Sequence, residues 1–196
     1  MRKSIILVAM AVIASSTFAS AQCRYEANEA RQQAQTLTAE GWISDTNNTI
    51  EYEMIEYDRV LNSGNYLGYV SLSPAALNNP ATAKNLAMRE AMKQVVMSAE
   101  HEFQGMGHDI TGIIDDDEIS AYLMTCVDRF KARIGDGFHV QFSIYRKQGN
   151  KYEYQVFCYM DKNGLETMCY DIFQEILVEY EDPSVVAQFK QIRNSR

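Results

Sequence analysis

The chain has 196 residues, 26 acidic against 18 basic side chains and a formal net charge of −8. A chain of this length can bury a sizeable single core without covalent staples, and its acidity argues against nucleic acid as a partner, since phosphate binding draws on clustered Lys and Arg. With only 3 Pro and 10 Gly, no linker or low-complexity stretch divides it further.

Arg2 and Lys3 open the chain, residues 5–13 are apolar, and Ala19, Ser20 and Ala21 form a small-x-small peptidase site. This is the pattern of a secretory signal peptide, residues 1–21, cut between Ala21 and Gln22. Its apolar run falls short of the ~20 residues that span a bilayer, and no later stretch is long and apolar enough to do so. Residues 22–196 therefore read as one exported domain without an integral membrane segment, bound for the periplasm, the outer membrane or the medium. Cys23 follows Gln22 rather than the small residue that lipid attachment requires, so release without an acyl anchor is expected.

Ala27, Ala30, Ala34 and Leu37 recur at spacings of three and four and run into Gly41, which predicts a helix with a small-residue face and a Gly stop. Asn47 and Asn48 precede Ile50, Met54, Tyr57 and Leu61, predicting a second short helix with an Asn cap, although Tyr and Ile also suit a strand. Ser63, Gly64 and Asn65 mark a turn, and residues 66–73 read as a strand closed by Pro74. Pro80 starts a long helix over 81–103, with Ala83, Leu86, Ala87, Ala91, Val95, Ala99 and Phe103 on its buried face and Gly105, Gly107 and Gly112 breaking it. Asp115 and Glu118 form an Asp-x-x-Glu capping pattern ahead of Ile119, Tyr122, Leu123, Cys126, Val127, Phe130 and Ile134, a fourth helix ended at Gly135.

Phe138, Val140, Phe142 and Ile144 alternate with His139, Gln141, Ser143 and Tyr145, and after a turn at 147–150 the alternation resumes with Tyr154, Val156, Cys158 and Met160. This predicts a hairpin, apolar on one face and polar-aromatic on the other. Leu165, Met168, Cys169, Ile172, Phe173, Ile176, Leu177 and Tyr180 line the last amphipathic helix, and beyond Pro183 a helical C-terminal tail carries Lys190, Arg193 and Arg196, cations that suit a helix C-terminus. The order helix, helix, strand, helix, helix, strand, strand, helix indicates an α+β fold, with helices packed on one face of a small, mainly antiparallel sheet.

Few residue groups invite chemistry. Asp115, Asp116 and Asp117 lack the alternating ligands and central Gly of an EF-hand loop, and capping at a helix N-terminus accounts for them. His101, Glu102, His108 and Asp109 could be imagined around a metal, but their spacing is not His-Glu-x-x-His and glycines separate the two imidazoles, so neither they nor His139 read as ligands. No serine sits in a Gly-x-Ser-x-Gly elbow, and Gly105-Met106-Gly107 lacks the Lys-Ser or Lys-Thr of a phosphate loop. No pattern calls for a cofactor.

Among the 4 cysteines, Cys126, Cys158 and Cys169 fall on predicted buried faces. Free thiols and a bridge between Cys158 and Cys169 are both compatible with an exported compartment. The 12 tyrosines gather near the strands, and Tyr145, Phe157 and Tyr159 fall on the outer face of the hairpin. Exposed aromatics on a sheet suit a binding platform or a dimer surface.

The stretch Ala34-Gln-Thr-Leu-Thr-Ala-Glu-Gly-Trp42 shortly after a signal peptide, then a strand, then Ala81-Thr-Ala-Lys-Asn-Leu-Ala-Met-Arg-Glu-Ala91, resembles small exported proteins of Bacteroides-type bacteria. These are similar to the twenty-kilodalton lipoprotein-like family of bacterial envelopes. The resemblance implies an envelope-associated α+β protein without a settled biochemical role, and it carries over no catalytic residues. The expectation is a non-enzymatic binding or interaction module, acting on a protein or small-molecule partner or on a second copy of itself. The alternative is a ligand carrier or metal-dependent enzyme whose site is assembled from distant residues.

Overall fold

Ala30 and Ala34 let the first helix, α1 (Ala27–Ala39), lie close against α2 (Ile50–Asn62). Between them Gly41, at φ +83°, turns the chain into a two-residue edge strand, β1 (Ile43–Ser44). The cap of α2 is Thr49, whose Oγ1 accepts the Tyr52 N–H at 3.2 Å. The expected Asn cap is displaced because Asn48 instead donates to Glu53 Oε1 at 2.9 Å, closing the loop before the helix. The structure, a computed structural model, describes residues 27–195; the predicted signal peptide, Cys23 and Arg196 lie outside the described residues.

After β2 (Tyr66–Leu72) comes α3 (Pro80–Asp109), with Pro80 in its first turn and Asn79 as its cap. It runs six residues past the expected stop at Phe103. Met106 and Ile110 are fully buried at its end, and Gly107 is a packing residue rather than a breaker: a Cβ there would lie 3.1 Å from Ile119 and 3.3 Å from Leu123 on the next helix. That helix, α4 (Asp116–Arg133), is capped by Asp115, whose Oδ1 accepts the Asp117 N–H at 2.9 Å. A 3-10 turn leads into β3 (Phe138–Gln148) and β4 (Lys151–Asp161), and the chain closes with α5 (Lys162–Tyr180) and α6 (Pro183–Asn194).

The four strands are all antiparallel, in the order β1, β3, β4, β2. The class is α+β and the element order is the expected one, with β1 as a short addition. The layering differs, because helices cover both faces of the sheet. On one face Tyr69, Tyr154, Val156, Cys158 and Met160 pack under α3 to α6; on the other Phe142, Ile144 and Phe157 pack under α1 and α2.

The cause is a register shift between Val140 and Phe142 on β3. An extra residue in one strand reverses the inside-outside alternation beyond it. Phe138 thus belongs to the α3 side while Phe142 and Ile144 belong to the opposite side. The hairpin is apolar on both faces, and each face needs its own cover. Among the described residues no helix is long and apolar enough to cross a membrane.

Candidate interaction surface

The three aromatics singled out on the hairpin do not form one patch. Phe157 is 3% exposed; its ring stacks on Phe142 at 4.2 Å, and Tyr57 of α2 meets both rings edge-on at 5.6 and 6.2 Å. Tyr159 is on the same face but at its margin, half-buried between Tyr66 and His139, with ring centres at 5.1 and 5.3 Å. Tyr145 points to the α3 side, because the bulge sends neighbouring β3 residues to the faces opposite those expected.

Tyr145 instead joins Tyr154, at 5.6 Å, and Tyr152, at 6.2 Å, to make a row of phenols across the strands. Lys147 Nζ lies 5.4 Å from the centre of the Tyr152 ring, within cation–π range. Tyr145 and Tyr152 are half-buried, and Tyr154 is buried. Cross-strand aromatic pairs of this kind stabilise the sheet and leave amphipathic rings at the surface.

Beside this row lies a polar cluster built from four separate elements. Asp45, just after β1, accepts from Lys84 Nζ of α3 at 2.7 Å and from Ser143 Oγ of β3 at 2.9 Å on one carboxylate oxygen, and from Tyr154 Oη of β4 at 3.4 Å on the other. Burial opposes ionisation of Asp45, but the hydrogen bonds from Lys84 and Ser143 and the nearby ammonium outweigh it and hold the carboxyl below its usual range. The Tyr154 phenol is pushed up to about 12, first by burial and then by the charge of Asp45. The Ser143 hydroxyl is committed to that carboxylate and the residue is 2% exposed. The cluster is chemically a clamp: an ionised acceptor holding three donors.

The remaining candidates resolve into structural roles. His101 and His108 are exposed and lie on one continuous helix; seven residues of helix separate them by about 10 Å, too far to share one ion. The Asp109 side chain is buried, 3.6 Å from Arg193 of α6, so one member of the basic C-terminal cluster secures that helix. No three His, Cys, Asp or Glu side chains among the described residues are grouped to hold a metal. Asp115 acts as a helix cap, as its spacing predicted.

Cys126, Cys158 and Cys169 are free, fully buried thiols. The Cys158 to Cys169 bridge is not formed in this structure. Burial pushes each of the three thiols up to about 12, so they behave as small apolar groups in the α3-side core. A groove of about 440 Å³ between α1 and α2 is lined by Ala34, Gln35, Thr38, Thr49, Ile50 and Glu51.

Sequence reasoning missed Asp45, Lys84 and Ser143. Asp45 and Ser143 are 98 residues apart, and no periodicity relates them. The only local signal was Lys84, a charged residue one position from the buried Ala83 of a helix otherwise read for its apolar face. No family model matches the chain, and neither a curated protein nor a solved structure matches it.

Proposed function

We propose that this is an exported protein of the bacterial cell envelope that acts as a non-enzymatic interaction module, using the tyrosine row Tyr145, Tyr152 and Tyr154 with its Lys147 and Asp45–Lys84 rim. The observation that carries this reading is the row itself: three phenols on one sheet face, bordered by an ammonium and a charge-paired clamp. Tyr145 and Tyr152, half-buried over the buried Tyr154, offer rigid contact area with a polar edge, at low cost in side-chain entropy, which is the composition favoured at recognition surfaces. Export is supported by the basic, apolar and small-residue run of residues 1–21, and an envelope role by the resemblance carried by residues 34–42 and 81–91.

Two measurements test the proposal. Mass spectrometry of the protein from the exported fraction should give a mature N-terminus at Gln22; an uncleaved chain in the cytoplasm would defeat the localisation. A photo-crosslinking residue at position 152 should capture a discrete envelope component or a second copy, while the same probe at Met97, an exposed position on α3, should not. Equal or absent capture at both positions would defeat the surface.

A further inference from the structure

Residues 27–62 are a continuous stretch of chain in which α1 and α2 cover one face of the sheet, β1 forms its edge, and only Asp45 reaches to the α3 side; the stretch supplies none of the buried residues of the other core. Their apolar contacts are made by Trp42, Ile50, Met54 and Tyr57 against Phe142, Ile144 and Phe157, while Ala30 and Ala34 join α1 to α2. α1 packs chiefly on α2, so α2 and β1 carry the attachment to the sheet.

The hydrogen-bonding ties from this segment to the rest of the fold concentrate at two points, and Arg146 of β3 adds a cation–π contact 4.8 Å from the centre of the Trp42 ring. At one, Tyr57 Oη donates to the Cys158 carbonyl of β4 at 2.9 Å, reaching it through a gap left by Gly68. At the other, Asp45 takes the donors of Lys84, Ser143 and Tyr154, next to two residue pairs of the β1–β3 ladder. The segment leaves the sheet face through Ser63 and Gly64, the latter at φ +76°. This conformation favours glycine and supplies a natural pivot.

We infer that α1, β1 and α2 form a strap that opens as one unit while α3 to α6 stay docked, uncovering the Phe142, Ile144 and Phe157 face of the sheet. Cooperative sub-global openings follow contiguous units that bury less and are tied at fewer points. Here the unit ends at a glycine turn, its core is separate, and its polar ties form two latches. Opening breaks the short β1–β3 pairing but leaves the β3–β4 and β4–β2 ladders, which lie outside the strap, intact. This inference goes beyond the tyrosine row and does not depend on what binds there.

Native-state hydrogen exchange tests it on residues 22–196. The slowest amides of α1 and α2 should exchange together, at least tenfold faster than the slowest amides of α3 and α5. Asp45→Asn and Tyr57→Phe should each speed the whole strap by roughly tenfold, the scale of a lost hydrogen bond to a charged group or a buried carbonyl. Because each tie is absent from both the strap-open and the unfolded state, the slowest amides of α3 and α5 should speed by about the same factor, so the gap between the two sets persists. Arg129→Ala, which removes an α4–α5 ion pair, should leave the strap rates unchanged and serves as the control. Strap amides exchanging at the rate of α3 and α5, or an Arg129→Ala variant that speeds the strap as much as α3 and α5, would overturn the inference.

Discussion

The two faces of the sheet are covered by different means. On one, α3 crosses β2 and β4 with a row of alanines, Ala83, Ala87, Ala91 and Ala99, that lets the backbones approach, and α4, α5 and α6 close over it around Phe103, Phe130, Phe173 and Phe189. The buried side chains on this face run from Tyr69 to Phe189, drawn from two strands and four helices, so no single element can leave without exposing the others. On the second face the helices that cover the sheet come from one local segment, and aromatic contact under Tyr57 is reinforced by hydrogen bonds at Asp45 and Tyr57. The lesson is that burial alone does not set how firmly a layer is held; the distribution of its contacts along the chain matters as much.

The largest expected effect lies on the first face. Phe103→Ala empties a fully buried site beside Phe130 and should cost about 3–5 kcal/mol, seen as a lower urea midpoint with protection lost in every element at once. If only α3 loosened, the two faces would not differ as described.

Gly68→Ala addresses the second face. A Cβ there would fall 2.7 Å from both Leu61 Cδ1 and Tyr57 Oη. Overpacking of this kind costs about 1–3 kcal/mol, and the loss should appear as faster exchange in α2, with α5 speeding by about the same factor and the gap between them kept.

A smaller effect follows from acid. Because Asp45 has a depressed pKa in the folded protein, its contribution is complete above the ordinary carboxylate pKa of about 3.9 and is lost as pH falls through its own lower value. Strap exchange, corrected for the intrinsic pH dependence of amides, should therefore rise below about pH 4, and Asp45→Asn should remove that rise. Glu175 is also held low, by Arg133 across α4 and α5, so acid should loosen the first face as well; the Asn variant separates the two responses.

The smallest effect concerns the thiols. Cys126, Cys158 and Cys169 all belong to the first core, so peptide-resolved labelling should proceed only at the rate of global unfolding. Asp45→Asn should speed all three thiols together through its effect on global stability, whereas faster labelling of Cys158 alone in this variant would mean that strap opening reaches through the sheet.

Several parts of this arrangement were legible in the chain. Most helical faces were, because burial repeats with the helix period: Ala83, Ala87, Ala91, Val95, Ala99 and Phe103 on α3 and Leu165 to Leu177 on α5 lie where their spacing put them, whereas Leu86 is half-buried and outside both cores. Capping by Asp115 and the start at Pro80 were equally local. The failures share a cause. The stop expected at Gly105 ignored the closeness of α4, which makes Gly107 useful inside a helix. The single outer face expected for the hairpin ignored the bulge, a shift set by the register against β4, which a strand pattern read alone cannot show. Of the candidate surface, the tyrosines were visible as residues but not as a row, and the Asp45 clamp was invisible.

The sequence by itself therefore determined the class, the order of elements and the burial of most helical faces, since these depend on interactions within one turn or between neighbouring residues. Only the tertiary structure decided that both faces of the sheet are covered, which aromatics share a surface, and that Asp45 gathers donors from three other elements. Those outcomes depend on pairings between residues far apart in the chain, where register and close approach, rather than local pattern, set which side chains meet.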